Sequence, residues 1–429
     1  MPYHASIPTR AFPPFVLAAA MAAILALASC TSTQTANKAP AAGSTEKREP
    51  SFDDFLDQFR TEAVAAGIRK STVDRAFDGL VPNDRVMALM ESQPEFVRPI
   101  WDYVARTVSE RRVRQGRTRL AKHRAGLAAA ERQSGVPGRV IVAIWGMETN
   151  FGGNTGSFSI IQVLATQAWK GRRAKWARGE LMQALHIVDK GEVPLARFKG
   201  SWAGAFGQTQ FMPSTFRGYA VDADGDGKRD LLGSLPDVFH STGNLLKNYR
   251  WKKGEPWGYE VRLPRNFPWA EAEYKVRKTL AEWSRMGVRR VNGSALAGGA
   301  LTAQHEASII IPAGHKGPAF LVLDNFRALL SYNRATSYAL SVAHLSDRIA
   351  GGGDFVAAWP TGELPLKRSE MKELQQRLTA IGCDAGKPDG VIGRQTRAAV
   401  RCYQRQTGRP ADGFPTTKLL ARLRGGGTS

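Results

Sequence analysis

Acidic residues and long hydrophobic runs are scarce in this chain, and residues 51–350 contain no long internal repeat. The 38 Asp and Glu residues are outnumbered by 60 Lys and Arg, which gives a formal charge of +22. Such a balance predicts an anionic partner such as nucleic acid, anionic lipid or a cell-wall polymer. The apolar run at residues 15–28 has 14 residues, which excludes a membrane-spanning helix of about 20 residues there. The length of 429 residues predicts two domains rather than one.

The densest basic run lies at residues 111–124. Basic runs of this kind occur in helices that bind nucleic acid. More often they form the solvated face of a helix, which is what we expect for this run.

Residues 1–30 have the pattern of an export signal. Arg10 provides a weakly positive start, the apolar run follows, and Leu27-Ala-Ser-Cys30 places small residues before a cysteine. This ending resembles the bacterial lipobox, which implies that Cys30 is lipidated and becomes the mature N-terminus. The alternative is a soluble secreted protein cleaved near Ala28. Export in either form argues against a nucleic-acid partner.

The residues after the cysteine carry information about localisation. Thr31 rather than Asp follows Cys30, and in lipoproteins of double-membraned bacteria this permits transfer to the outer membrane. Residues 31–50 are rich in Thr, Ser, Ala and Pro and lack hydrophobic periodicity, so we expect a flexible tether. The expected location is therefore the periplasm, with an outer-membrane lipid anchor.

A single glutamate closes an apolar run at residues 140–148, and two adjacent glycines follow shortly after it. If the run is a helix, Ile141, Ile144 and Glu148 share one face, since residues three, four and seven apart align. The carboxyl group then lies at the C-terminal end of a buried helix, where lost hydration and the helix dipole favour the protonated form. A carboxylic acid that is neutral near pH 7 can protonate a leaving oxygen, as glycosidic bond cleavage requires. The alternative is a surface glutamate at a frayed helix end.

A second dense segment, residues 200–214, is rich in glycine, alanine and aromatic residues. The small residues allow another group to approach the backbone closely, and Trp202, Phe206 and Phe211 supply flat apolar faces. Aromatic rings beside amides and hydroxyls suit sugars, whose C–H faces stack on rings while their hydroxyls need directional partners. The alternative is a tight helix crossing lined by glycines. The polar candidates in this segment are Ser201, Gln208 and Gln210.

Together the two segments resemble the membrane-bound lytic transglycosylase B family of peptidoglycan-cleaving enzymes. Residues 148–152 match the family's E-[ST]-x-[FY]-G context, and residues 200–214 match its G-S-[FW]-A-G-A-x-G-x-x-Q-F-M-P-S signature. A third stretch, residues 331–339, matches an R-Y-N-x-[ST]-x-x-Y-A-like pattern, except that Ser331 replaces the arginine. The resemblance covers about residues 50–350 and implies a lysozyme-like catalytic domain. It implies that Glu148 is catalytic and that the substrate contacts are Ser201, Gln210, Tyr332, Asn333 and Tyr338.

Apolar residues at helical spacing recur between glycine-rich breaks, as in residues 52–63 and 181–188. Strand-like runs are short, as at residues 308–312 and 320–323. The pattern predicts a mainly α (α+β) body over residues 51–350.

Asp222–Asp230 matches the first nine positions of an EF-hand loop, with glycine at position six. Position twelve should be a bidentate glutamate, but Gly233 stands there, and Asp237 could substitute in a longer loop. The alternative is an acidic turn without metal. Because the family that the chain resembles carries an EF-hand-like loop at this place, a structural Ca²⁺ is expected. Its expected ligands are Asp222, Asp224, Asp226, the Lys228 carbonyl and Asp230.

Residues 351–365 are rich in Gly and Pro and predict a linker with a hinge. Residues 389–404 match the D-G-x-x-G-x-x-T-x-x-A-[VL]-x-x-[FY]-Q pattern and so resemble a small three-helix peptidoglycan-binding module, expected at residues 366–425. About sixty residues are too few for a large core. With the N-terminal cysteine acylated, Cys383 and Cys402 are the only internal pair of an exported chain. A disulfide between them would stabilise the module by ~3 kcal/mol.

These expectations combine into an exported lipoprotein that cleaves the MurNAc–GlcNAc β-1,4 bond of peptidoglycan, with Glu148 as general acid and then base. The product is a 1,6-anhydro-MurNAc end, and no cofactor enters the chemistry. The expected partners are glycan strands and, through the lipid, a membrane. A muramidase that hydrolyses the same bond would need a positioned water and usually a second carboxylate, which the three motifs do not offer. A non-catalytic wall-binding anchor would not need the sequence context of Glu148.

Overall fold

A computed structural model of the chain describes residues 50–91 and 98–425. The expected export signal, Cys30 and the tether up to residue 49 lie outside the described residues. Within them the chain forms 17 α-helices and seven short β-strands, so the expectation of a mainly helical α+β fold is confirmed. No helix in these ranges is long and apolar enough to cross a membrane.

The first eleven helices and two short strands form most of the helical body. Their bounds are α1 (Phe52–Ala65), α2 (Lys70–Phe77), α3 (Asp84–Glu91), α4 (Ile100–Thr107), α5 (Glu110–Lys122), α6 (Arg124–Ser134), α7 (Gly138–Thr149), β1 (Phe158–Ser159), α8 (Ile160–Lys170), α9 (Ala174–Asp189), β2 (Lys199–Gly200), α10 (Pro213–Tyr219) and α11 (Leu235–Asn248).

A small sheet, two further body helices and the C-terminal helices follow. Their bounds are β3 (Gly258–Arg262), β4 (Lys278–Thr279), α12 (Leu280–Arg285), β5 (Arg289–Arg290), β6 (Glu306–Ile310), β7 (Ala319–Val322), α13 (Asp324–Tyr332), α14 (Thr336–Ile349), α15 (Arg368–Ala380), α16 (Arg394–Gln406) and α17 (Thr417–Leu423).

Helix α1 illustrates how local sequence determines the body. Ser51 accepts a hydrogen bond from the Asp54 backbone, while the Asp54 carboxylate accepts one from the Ser51 backbone, so two free donors of the first turn are satisfied. Phe52, Phe55 and Phe59 lie at helical spacing and are buried in the main core. The helix predicted from this spacing is confirmed.

Helix α7 is the central helix of the body. Every residue from Val140 to Gly146 is buried, and the helix packs against α5, α6, α11 and α14. A helix that is apolar on all sides has to lie inside a domain. It ends at Asn150, whose φ of 51° is left-handed, and so places Glu148 in its last turn at the edge of the core.

The five-stranded sheet is antiparallel throughout, with strand order β4-β6-β7-β3-β5. In its centre Ile309 pairs with Leu321 and Gly258 pairs with Val322. Because side chains alternate between faces of a strand, Phe320 and Val322 join the main core, whereas Ile309 and Leu321 join a second core. The strands predicted at residues 308–312 and 320–323 are confirmed as β6 and β7.

The C-terminal module contains α15, α16 and α17, and these form a small core of their own. Leu374, Leu378 and Val400 are fully buried in this core. Cys383 and Cys402 form a disulfide with their Cα atoms 5.7 Å apart. The three-helix expectation for this module is confirmed.

The segment between the body and the module, predicted at residues 351–365, is held against the body by specific contacts. The backbone N–H groups of Val356 and Ala357 donate to the carboxylate of Glu260 at 2.6 and 2.7 Å. The Phe355 ring packs on Phe320 and stacks on His344, with centroid distances of 4.8 and 3.9 Å. Composition predicted a hinge here, but specific contacts with the body anchor the segment.

Candidate active site

Glu148 lies half-buried in the last turn of α7. The hydroxyl of Tyr338 donates a hydrogen bond to its Oε1 atom at 2.5 Å. Burial raises the pKa of the Glu148 carboxyl from 4.5 to about 7, and the hydrogen bond from Tyr338 opposes this rise. A large fraction of Glu148 is therefore protonated near neutral pH, which is what a general acid requires.

Three tyrosines from three different helices surround this carboxyl group: Tyr103 of α4, Tyr332 of α13 and Tyr338 of α14. Burial raises the pKa of each phenol, and the charge of Glu148 raises it further. The rings of Tyr332 and Tyr338 are nearly parallel, with centroids 6.3 Å apart. The phenols therefore stay protonated beside the glutamate, and Tyr338 is the one that donates a hydrogen bond to it.

Gln208 connects the glycine-rich loop to the catalytic helix. Its Oε1 accepts a hydrogen bond from the Trp145 indole at 2.8 Å, and its backbone carbonyl accepts one from the Thr149 hydroxyl at 2.7 Å. Its amide nitrogen donates to the Leu232 carbonyl at 3.2 Å. A Cβ at Gly152, where φ is +81°, would lie 2.4 Å from the Gln208 Oε1. The small residue after the catalytic helix is thus required for this contact.

The loop itself is two consecutive tight turns. Phe206 and Phe211 exchange backbone hydrogen bonds of 2.9 Å. Between them Gln210 has a left-handed φ of 51°, which is unfavourable for a residue with a side chain. Its amide nitrogen donates to the carbonyls of Thr155 and Gly207 at 3.1 and 3.0 Å. These two bonds hold the strained turn in place, and strain of this kind is often found at functional sites.

Ser201 and Trp202 form the outer part of the same loop. Ser201 is partly exposed, and its hydroxyl accepts a hydrogen bond from the Ala205 backbone at 3.2 Å. The hydroxyl donates to no residue that the structure describes, so it has a proton to offer a ligand. Trp202 is 39% exposed, whereas Phe206 and Phe211 are buried. Of the three aromatic faces predicted for sugars, only that of Trp202 is accessible, and the other two are core residues.

The third motif is divided between two roles. Tyr338 contacts Glu148, and Tyr332 lies beside Tyr338 while its hydroxyl donates to the Thr209 carbonyl at 2.5 Å. Tyr332 therefore joins α13 to the glycine-rich loop. Asn333 is exposed, and its Oδ1 accepts a hydrogen bond from the Ala335 backbone at 3.1 Å in the turn before α14.

Known proteins resemble this chain in sequence and in fold. The family model of the transglycosylase SLT domain matches residues 51–347, well over half of the chain. The chain belongs to the transglycosylase SLT family. A second model, that of a putative peptidoglycan binding domain, matches residues 367–423.

Individual relatives of this transglycosylase support the same family assignment. Membrane-bound lytic murein transglycosylase B of Escherichia coli (strain K12) is 29% identical over 299 residues, which are 69% of this chain and 79% of the relative. SltB3 from Pseudomonas aeruginosa in complex with NAG-anhNAM-pentapeptide is 50% identical, with a TM-score of 0.85 over 87% of this chain and 99% of that chain. Escherichia coli SLT35 in complex with calcium is 27% identical, with a TM-score of 0.60 over 72% and 95% of the two chains. The expected lytic transglycosylase, an enzyme acting on peptidoglycan, is confirmed.

The acidic loop of the transglycosylase brings three carboxylates together, and Asp237 is one of them. Ligand atoms of Asp222, Asp224 and Asp237 all lie within 4.8 Å of one another. Asp237 is fully buried, and burial raises the pKa of its carboxyl. Hard oxygen donors converging on a buried carboxylate fit Ca²⁺.

The remaining expected ligands serve the turns of the loop. Asp226 accepts a hydrogen bond from the Lys228 backbone at 2.8 Å, and Asp230 accepts from the backbones of Leu232 and Gly233 at 2.7 and 2.9 Å. Asp237 thus joins Asp222 and Asp224 in the converging group, and the predicted ligands Asp226 and Asp230 accept backbone hydrogen bonds in the loop, as Asp222 and Asp224 also do.

Sequence reasoning did not assign Tyr103 to the site, and it did not recognise Gln208 as the link between two motifs. Tyr103 lies 45 residues before Glu148 along the chain, and only the packing of α4 against α14 brings it close. No local pattern marks it. Gln208 was visible as a polar residue in the glycine-rich signature, but its role depends on contacts with α7.

Proposed function

We propose that this enzyme cleaves the MurNAc–GlcNAc β-1,4 bond and forms 1,6-anhydro-MurNAc ends, with Glu148 acting first as acid and then as base. The observation that carries the proposal is the half-buried carboxyl group of Glu148, whose pKa of about 7 makes both protonation states accessible. The described groups whose pKa is shifted by Glu148 are the tyrosines around it, and the proposal assigns both proton transfers to this one carboxyl group.

In the first step the Glu148 carboxylic acid donates its proton to the glycosidic oxygen. The bond from this oxygen to C1 of MurNAc breaks, and GlcNAc leaves with a free 4-hydroxyl. The 2-acetamido oxygen of MurNAc stabilises the positive charge that develops at C1, as in substrate-assisted glycosidases.

In the second step the Glu148 carboxylate accepts the proton of the C6 hydroxyl on the same sugar. O6 forms a bond to C1, which closes the anhydro ring and returns Glu148 to its acid form. A hydroxyl held on the same sugar has an effective concentration far above that of water, up to ~10⁵ M or more. The hydrogen bond from Tyr338 stabilises and orients the carboxylate between the two steps.

The glycine-rich loop and the third motif provide the sugar contacts in this proposal. Ser201 has a hydroxyl proton to donate, and the exposed face of Trp202 offers a platform for a sugar ring. The solved complex of SltB3 with NAG-anhNAM-pentapeptide supports an anhydro sugar as product. The full set of proposed substrate contacts is Ser201, Gln210, Tyr332, Asn333 and Tyr338.

No cofactor takes part in the proposed chemistry. Asp222, Asp224 and Asp237 would hold a Ca²⁺, which would stabilise the loop before α11 and supply no chemistry to the sugar. The solved calcium complex of SLT35 supports this part of the proposal.

We also propose an exported lipoprotein anchored through Cys30, with a tether that ends near residue 50. The relative from Escherichia coli is membrane-bound by name. Replacing Cys30 by serine should move the protein from the membrane fraction to the soluble envelope fraction. Unchanged membrane fractionation would contradict the lipid anchor.

Mass analysis of digested peptidoglycan tests the chemistry. The wild type should generate anhydro ends, about 18 Da lighter than hydrolysed ends because one water is missing, and almost no new reducing sugar. Glu148→Gln should lower turnover at least a thousandfold, since glutamine cannot donate or accept the proton. Borohydride-reducible MurNAc as the main product would instead show a muramidase.

A further inference from the structure

A cavity of about 660 Å³ lies between the body and the C-terminal module. Its walls come from residues 272–275 before β4, from the end of β6 and from the first residues of α4, α14 and α16. Ligand sites of proteins commonly have volumes of roughly 300–1,000 Å³. The module is held against the body beside it by hydrogen bonds from the backbone and ring of His315 to Asp412, at 2.9 and 2.5 Å.

The cavity is cationic. Two carboxylates line it, and both are engaged by protein groups. Glu273 is paired with Arg401, and Asp412 accepts hydrogen bonds from His315 and Gln404. The cationic side chains of its wall are Arg98, Lys275, Arg394, Arg397 and Arg401.

Arg397 is the member of this set that most needs an anion. It lines the cavity, yet its guanidinium makes no hydrogen bond or ion pair with any residue that the structure describes. Burial lowers its pKa, and the adjacent Arg401 lowers it further. Tyr274, Glu273 and Asp412 oppose this lowering of the pKa, but no carboxylate of the described residues lies within ion-pair distance of the half-buried guanidinium. A guanidinium that is removed from water and incompletely paired is costly, and a bound carboxylate would offset this cost by a bidentate pair.

Besides α4, the helices α14 and α16 begin at the same cavity. The first residues of α14, Thr336 and Ser337, and those of α16, Gly393 and Arg394, line its wall. Neither helix has a side-chain cap or an acidic residue in its first turn. Free backbone N–H groups and the positive ends of two helix dipoles therefore face this space together with Arg397, which favours an anion.

The cavity adjoins the catalytic centre through two of these helices. Tyr338, which contacts Glu148, lies two residues after Thr336 on α14, a rise of about 3 Å along the axis. Tyr103 lies three residues after Ile100, another residue of the cavity wall, on α4. The cavity wall therefore lies within one helical turn of two of the tyrosines beside Glu148.

We propose that this cavity binds a carboxylate of the stem peptide that MurNAc carries on its lactyl group, and that it makes the enzyme prefer peptide-bearing strands. The inference rests on the proposed function, because it assumes MurNAc at Glu148. Stem peptides carry several free carboxylates, and their attachment to the reacting sugar places them one short chain away from the catalytic residue.

The test compares two soluble glycan substrates of equal length, one with pentapeptide stems and one stripped of stems by an amidase. The wild type should have at least a tenfold higher kcat/KM for the stem-bearing glycan. Arg397→Gln and the exposed Arg394→Gln should each reduce this ratio about tenfold, whereas Arg405→Gln, on the same helix but outside the cavity, should keep it. A wild-type ratio near one, or a ratio that neither cavity variant changes, would overturn the proposal.

Binding separates this proposal from the proposed chemistry. The full-length Glu148→Gln protein should bind the free N-acetylated pentapeptide, and addition of Arg397→Gln should weaken the Kd about tenfold. Equal competition by inorganic phosphate and by the peptide at the same concentration would reveal a general anion site and refute stem recognition. Hydrolysed instead of anhydro ends would refute the proposed chemistry while leaving the substrate ratio interpretable.

Discussion

At the scale of single residues, Glu148 has to give up a proton and take one back within a turnover. Its pKa of about 7 reflects burial, opposed by the hydrogen bond from Tyr338. Since cleavage needs the acid form, the cleavage rate should be highest below pH 7 and should fall about tenfold per pH unit well above it.

Tyr338→Phe should move the alkaline limb of this profile to higher pH. The substitution removes the hydrogen bond that lowers the Glu148 pKa, so the carboxyl group stays protonated further into the alkaline range. The rate at pH 6 should fall about tenfold, because the carboxylate is less well oriented. The measurement is a pH–rate profile on a soluble glycan.

Tyr332→Phe is the matched control for this profile, because its hydroxyl donates to the Thr209 carbonyl instead of Glu148. The alkaline limb of the Tyr332→Phe profile should lie at the same pH as that of the wild type. A Tyr338→Phe profile that coincides with the wild type, or one that moves to lower pH, would remove Tyr338 from control of the acid.

The same pKa predicts a stability effect. The folded-state pKa of Glu148 lies above the ordinary value of 4.5, so its contribution to stability is fully present below pH 4.5 and is lost as the pH rises through about 7. Glu148→Gln has no ionisable group there and should avoid this loss. By pH 8 the variant should gain up to about 3 kcal/mol in the free energy of unfolding relative to wild type, compared with pH 4.5.

Thermal unfolding of both proteins at a series of pH values measures this difference. The gap in melting temperature between Glu148→Gln and wild type should widen as the pH rises from 4.5 to 8. A constant gap across this range would mean that Glu148 is well solvated in the folded protein, and the assignment of a half-buried acid would be wrong.

At the scale of elements, the acidic loop and the start of α11 form one unit. Asp237 lies in the first turn of α11 and accepts hydrogen bonds from the backbones of Ala223 and Asp230 at 2.7 Å each. The loop is thereby held near the geometry that a cation needs. Position twelve of the EF-hand pattern is Gly233, so the affinity should lie in the weak range of ~10⁻⁴–10⁻³ M.

Ca²⁺ at 10 mM should therefore raise the free energy of unfolding of the wild type by roughly 1–3 kcal/mol. Asp224→Asn should abolish the shift in melting temperature, because Asp224 belongs to the converging group. Asp226→Asn removes the same charge from an exposed neighbour outside the converging group, and it should keep most of the shift. Equal losses in the two variants would show that the EF-hand pattern, with Asp226 as ligand, describes the site better.

The sequence predicted elements where a local pattern was sufficient. The aromatic spacing of α1, the apolar run of α7 and the short strands β6 and β7 are visible in a few consecutive residues. What joins these elements was not predictable, because it depends on contacts between distant positions. Tyr103 reaches the site only through the packing of α4, and the anchoring of the expected hinge depends on Glu260 in β3.

At the scale of the whole molecule, the C-terminal module has two roles in these proposals. It supplies a wall-binding surface, and through α16 it completes one side of the cationic cavity. Both roles require that α16 stays folded. The small core of the module stabilises α16 only weakly. The disulfide between Cys383 and Cys402 should therefore be needed for wall binding and for the cavity.

Replacing Cys383 and Cys402 together by serine should lower the free energy of unfolding of the module by up to about 3 kcal/mol. At 37 °C the variant should bind less well to insoluble cell wall and should lose its preference for stem-bearing glycan. Both effects are expected because α16 carries Cys402 as well as Arg394 and Arg397. Cleavage of stem-free glycan should change less than twofold, since Glu148, its tyrosines and the glycine-rich loop all belong to the body. Wall sedimentation and kcat/KM on the two glycans are the measurements, with Cys30→Ser as the background so that no third thiol interferes. A parallel loss of stem-free cleavage would mean that the body depends on the module for its fold, and the division of roles between them would be wrong.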